Sequence, residues 1–133
     1  MGMEVTLKLT EKQATVVVAA LDVYSRILIG QTENVEHVLT WAYMEKISLR
    51  KIEEARALLN RVKHVIWGFH PGESFSILND EVHDEARQAY DLMQVVRNGV
   101  ARFKKPEGGV SVVYDQPHQT SKEEALATLD IKP

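Results

Sequence analysis

The sequence predicts a mainly α domain of the α+β kind: about four helices with a small antiparallel sheet formed by N- and C-terminal strands, assembled as an oligomer. Three observations carry this reading. Apolar residues recur at three-four spacing through most of the chain, period-two alternation is confined to its two ends, and the first helical stretch has almost no polar face. With 133 residues, 44% apolar and 26% charged, the chain has the size and composition of one domain, able to hide roughly two-thirds of its unfolded surface. We place that domain at residues 1–115 and a tail at 116–133.

Val5, Leu7 and Leu9 alternate with Thr6 and Lys8, the pattern of a strand with one buried face. Thr10-Glu11-Lys12-Gln13 reads as a capping box, because the Thr10 hydroxyl and the Gln13 amide each satisfy the other residue's backbone N–H. The first helix therefore starts at Glu11 and runs to about Ile29, with Gly30 as its stop. Val16, Val17, Val18, Leu21, Val23, Ile27 and Leu28 surround it with apolar surface, and a helix apolar all round must be covered all round. In so short a chain a second copy is the expected cover, which predicts a homo-oligomer with this helix in or near its interface, the alternative being a central helix buried within one monomer.

A second amphipathic helix follows, with Val35, Val38, Leu39, Ala42 and Tyr43 on one face, ending near Lys46. Ser48 caps a third, whose apolar positions Ile52, Ala55, Leu58, Leu59, Val62, Val65 and Ile66 run to Trp67-Gly68. Phe69 to Asn79 is a loop of unusual apolar weight, expected to pack down over the body. The fourth helix, from about Val82 to Phe103, has Asp80, Glu81, Asp84 and Glu85 at its start. Arg97, Arg102, Lys104 and Lys105 stand at its end, the polarity the helix dipole favours. Pro106-Glu107-Gly108-Gly109 turns the chain into a last strand at Val110, Val112 and Tyr114, paired with residues 5–9 in the same or a neighbouring chain. The polar segment from Gln116 onward is expected to be exposed and to order only against a partner.

Composition excludes several functions. There is no cysteine, hence no disulfide, thiolate catalysis or cysteine-ligated zinc. The first residues lack the blocks of a signal peptide and no apolar run reaches about 18 residues, so the chain is expected in the cytoplasm and not in a membrane. A net charge of −3 argues against nucleic acid as a partner. Histidines 37, 64, 70, 83 and 118 form no metal-ligand spacing, and no G-x-S-x-G turn or glycine-rich phosphate loop follows a strand. Neither an enzyme nor a cofactor is expected.

Two groups remain as candidate chemistry. Asp22 and Arg26, four residues apart on an otherwise apolar helix, are either a structural ion pair or a phosphate-binding arginine held by its carboxylate. Tyr90, Met93, Gln94 and Arg97 project in related directions within two turns, as either core and helix end or a surface that stacks on a base and neutralises a phosphate.

The stretches Tyr24-Ser25-Arg26 through Gly30-Gln31 and Ala89-Tyr90-Asp91 through Gln94-Val95-Val96-Arg97 resemble small bacteriophage proteins that share Y-S-R-x-x-x-G-Q and A-Y-D-x-x-Q-V-x-R elements. The resemblance runs from the first strand to Asp115. It implies a protein of the host-cell cytoplasm. One class of such proteins, the nucleotide-signal sponges of phage anti-defence, would imply a non-catalytic symmetric oligomer that sequesters a cyclic nucleotide or cyclic ADP-ribose-type ligand. On that class Arg26, Gln31, Tyr90 and Arg97 would contact ligand, with Phe75 and Asn79 as lid. The alternative is an interaction module that docks onto a host or phage protein without a small-molecule ligand.

Overall fold

The computed structural model describes residues 2–133; Met1 lies outside them. Four helices make up its regular structure: α1 (Glu11–Leu28), α2 (Asn34–Ala42), α3 (Leu49–Trp67) and α4 (Asp84–Lys104), followed by a 3-10 turn at Val112–Tyr114. No strand occurs among the described residues, so the chain is all-α and the predicted antiparallel sheet is not formed. Residues 5–9 carry no regular structure, because a ladder needs a neighbour, and Val5 and Leu7 are exposed. At the other end the backbone closes on itself. Ser111 Oγ accepts from Val113 N–H, and Tyr114 N–H donates to the Ser111 carbonyl at 3.0 Å. This local capping by a serine replaces strand pairing.

Helix limits follow from their caps. The box at Thr10 and Gln13 is present in both directions, with Thr10 N–H to Gln13 Oε1 at 2.9 Å and Gln13 N–H to Thr10 Oγ1 at 3.2 Å. α1 ends in a Schellman motif: Gly30, at φ 94°, lets its own N–H reach the Ile27 carbonyl while Gln31 N–H reaches that of Arg26. α2 stops at Ala42, earlier than expected, and a turn occupies residues 43–46. Ser48 caps α3 through Lys51 N–H, and Gly68 in the left-handed region ends it. α4 starts two residues later than expected because His83 Nδ1 accepts from Glu85 N–H and Val82 turns inward instead.

α1 and α4 lie antiparallel. Tyr24 donates to Glu85 and Ser25 Oγ to the Ala86 carbonyl at one end, and Lys104 pairs with Glu11 at the other. The central element is α4, not α1: of α1 only Ser25 is buried, against nine residues of α4. Ile29, Val82 and Ala86 form the apolar centre, with Leu28, Phe75 and Ile77 packed on it. The outer side of α1 stays open, leaving Val16 68% exposed.

The segment after Asp115, expected to be free, is bound along α4. Arg87, Asp91, Gln94 and Asn98 are buried at spacings of four, three and four residues, one stripe on one face. Asn98 donates to the Asp115 carbonyl, Gln94 to that of His118, and Asp91 accepts from Thr120 N–H and Ser121 N–H at 2.9 Å. Arg87 holds the preceding loop by donating to the carbonyls of Ile77, Asn79 and Val82. The backbone groups of an unpaired extended segment need partners when buried, and α4 supplies them from side chains. Beyond Ser121 the chain doubles back, and Leu129 packs on Gly99 where a Cβ would stand.

Candidate ligand-binding site

The predicted residues separate: Arg26 and Gln31 come together at one end of the α1–α4 pair, and Arg97 alone of them lines a groove toward the other. At the first end, Arg26 donates through Nε to both oxygens of Asp22 at 3.1 Å and through Nη1 to Gln31 Oε1 at 3.0 Å, and Gln31 Nε2 reaches Ser74 Oγ at 3.4 Å. The guanidinium is thus already engaged by a carboxylate and an amide, and its position is fixed by the Schellman turn that brings Gln31 back over the helix end. Phe75, beside Ser74, packs on the apolar centre, and its N–H donates to the Ile29 carbonyl at 2.8 Å. Asn79 Oδ1 accepts from Glu81 N–H at 2.8 Å while its carbonyl accepts from Arg87. Both residues expected as a lid are tied into the loop that joins α3 to α4.

The second group surrounds Arg97. A groove of about 350 Å³ opens between α1, α4 and the 3-10 turn, walled by Thr15 and Val18, Val96 and Val100, and Val113 and Tyr114. Arg97 and Lys104 stand among these walls. Arg97 Nε donates to Asn98 Oδ1 at 3.2 Å, which steadies the guanidinium and leaves its two terminal nitrogens without a partner among the described residues. Lys104 is paired with Glu11, and Lys105 Nζ lies 5.8 Å from the centre of the Tyr114 ring, a cation–π contact. The groove is therefore an apolar slot with one uncompensated cation, inside the size range of small-molecule pockets. Among the described residues lining it there is neither carboxylate nor imidazole.

Thr15 and Arg26 are eleven positions apart on α1, about 16 Å at 1.5 Å per residue. One mononucleotide-sized ligand does not span the two groups within a protomer. Tyr90 is half-buried on α4 and lines neither. No protein-family model matches the chain, and no curated protein or solved structure matches it.

Sequence reasoning missed Thr15 and Tyr114 as groove walls and Asp84 and Asp91 as the clamp on residues 120–123. A signal for the clamp existed, since Arg87, Asp91, Gln94 and Asn98 form a polar stripe of helical period within an otherwise amphipathic helix. A stripe of that kind reads equally as a solvated face, and only the fold shows the chain lying on it. Ser121 Oγ donates to Asp84 Oδ2 at 2.6 Å, and Lys122 N–H donates to Oδ1 at 2.8 Å. These hydrogen bonds, Ser121 first, hold the Asp84 carboxyl well below the usual carboxylate range. Among the described residues no three histidine, aspartate or glutamate side chains are grouped to hold a metal ion, and no helix is long and apolar enough to cross a membrane.

Proposed function

We propose that this chain is a non-catalytic, oligomeric binding protein of bacteriophage type that sequesters a cyclic nucleotide-type signal of the host. The observation that carries the ligand is the Arg97 groove: an apolar slot that suits a base, with a guanidinium whose free nitrogens suit a phosphate. The absence of a carboxylate or imidazole from its walls favours retention over turnover. Resemblance of the Tyr24–Gln31 and Ala89–Arg97 stretches to small phage proteins supports the same reading. Arg26 and Gln31 are held by Asp22, Ser74 and each other, so Arg97 is the cation on which affinity is expected to depend.

Titration of the purified protein with a panel of cyclic nucleotides and cyclic ADP-ribose isomers, by calorimetry and native mass spectrometry, tests the proposal. A bound, unaltered nucleotide mass is expected. Arg97→Ala should weaken that binding by about 1.5–3 kcal/mol, roughly 10- to 150-fold, whereas Arg26→Ala should change it little. Equal affinity in wild type and Arg97→Ala would remove the groove as the site. A second reading, favoured by the exposed apolar side chains of α2 and α3, is an interaction module that docks onto a host or phage protein. It predicts no retained nucleotide at all.

A further inference from the structure

The pair α2–α3 is built inside out. Its contact side is polar: Glu36 is buried and accepts from Thr40 Oγ1 at 2.8 Å and Arg56 Nε at 2.7 Å. Lys63 is fully buried against Glu33 at 2.8 Å, and Thr32 Oγ1 donates to the Leu59 carbonyl. Neither helix has a buried apolar residue; Glu36 is the only buried position of α2 and Lys63 that of α3. Val35, Ile52, Ala55 and Leu59 are half-buried beside these polar groups, while Trp41, Leu58, Val62, Val65 and Ile66 point away. Trp41 is 79% exposed, Val65 72%, and Leu58 61%. Among the described residues α3 packs against α2 and against no other helix, which leaves Leu58 and Val65 exposed on its outer face.

The whole molecule shows the same deficit. A compact monomer of 15.1 kDa is expected to expose about 7,100 Å², and this chain exposes 9906 Å². The excess of about 2,800 Å² per chain comes from the exposed residues 2–9 and the loop at Val110 as well as from α2–α3, and it leaves room for an interface of stable-dimer size. A helical hairpin with no fully buried apolar residue of its own is poorly stable without a constant cover. A second copy of this chain is present whenever the chain is and meets that condition.

We infer that two copies of this chain pair through the outer face of α3, antiparallel across a two-fold axis near Leu58. Glu54, Leu58, Arg61 and Val65 follow one another at spacings of four, three and four, one continuous stripe. Across a two-fold at Leu58 each Glu54 faces the other copy's Arg61, and neither residue has an ion-pair partner within its own chain among the described residues. The stripe is therefore self-complementary, apolar at its centre with opposite charges on either side. The assembly deepens the oligomer of the proposed function but is independent of the groove, which lies on the α1–α4 pair.

Sedimentation equilibrium and native mass spectrometry of the full chain at micromolar concentration test it. A dimer is expected for wild type. Leu58→Glu changes an exposed position of the protomer, so its helix content should persist while the dimer weakens by about 100-fold or more. Glu54→Arg and Arg61→Glu should each weaken the dimer, and the double exchange E54R/R61E should restore it, which no docking of an unrelated protein reproduces. A monomeric wild type overturns the inference, as does an oligomer indifferent to Leu58→Glu and disrupted by Val16→Glu, which would put the interface on α1. Nucleotide retention is read from the same spectra, so a monomer that keeps its ligand rejects the α3 pairing and leaves the groove standing.

Discussion

Asp91→Asn is the substitution that tests the architecture most directly, because one buried carboxylate accepts from Thr120 N–H, Thr120 Oγ1 and Ser121 N–H. The side chain is 4% exposed, so these are desolvated, charge-assisted contacts worth about 1.5–3 kcal/mol each. Asparagine keeps the shape and one acceptor oxygen but turns an NH₂ group toward backbone donors. Thr120 N–H meets both carboxylate oxygens, so one of the three donors loses its partner and the other two keep a neutral acceptor in place of a charged one, a cost of about 2–3 kcal/mol. That cost is limited by the alternative open to the segment, which is to leave α4 and hydrate. The assay is hydrogen exchange by mass spectrometry with urea denaturation on the same samples. Amides of residues 118–124 should exchange about a hundredfold faster in Asp91→Asn, while those in the middle of α1 keep their protection until global unfolding. Wild-type exchange across 118–124, with a urea midpoint unchanged, would refute the claim that the α4 stripe holds the returning chain.

Three further outcomes follow from local geometry. Asp84, its carboxyl held low by Ser121, Lys122 N–H and Gln88, contributes stability that is complete above the ordinary aspartate value of 3.8. That contribution is lost as pH falls from there through the lowered folded value. Exchange protection at 121–124 should accordingly hold at pH 5 and fade only in stronger acid, and Asp84→Asn should remove this acid dependence. Gly30→Ala places a Cβ 2.9 Å from the Phe69 ring at a backbone φ of 94°, which should cost about 1–3 kcal/mol in urea denaturation. Thr10→Ala removes one half of the capping box and should cost about 1 kcal/mol by the same measurement, with the loss reported by amides of the first turn of α1.

What the sequence made legible was local. The Thr10 box, the Ser48 cap and the Gly30 and Gly68 stops are two- to six-residue events whose partners lie within the same stretch of chain, and each appears where its chemistry requires. The charge polarity of α4 likewise placed both its ends to within two residues. What was not legible depended on partners far along the chain. Alternation at residues 5–9 and 110–114 reads as two strands only if they meet, and Ser111 closes a 3-10 turn before they do. The apolar surround of α1 left open a central place within the monomer, yet Ala19 and Ala20 face outward and α4 takes the centre. Of the six predicted site residues only Arg97 lines the groove; Arg26 and Gln31 form their own cluster, Phe75 and Asn79 hold a loop, and Tyr90 lines neither.

The polar stripe of α4 explains why this fold has so few buried apolar residues. In a sheet the backbone of an extended segment is satisfied by a second backbone, and side chains are left to build a core. Here the segment from Asp115 to Ser121 lies on a helix, whose own backbone groups are spent within the helix. Side chains must take over, and each position of α4 used for a carbonyl or an N–H is a position withdrawn from apolar packing. Arg87, Asp91, Gln94 and Asn98 thus occupy a face that in an ordinary bundle would seat leucines against a neighbouring helix. The arm shows the same exchange, with Glu36, Lys63 and Thr32 on the inside of α2–α3 and Trp41, Leu58 and Val65 on the outside. Leucine at position 91 or 98 would fit the helix but strand the backbone groups of the returning segment, so these sites favour polar side chains more strongly than their burial suggests. The apolar surface displaced outward by that choice is the surface on which assembly must draw.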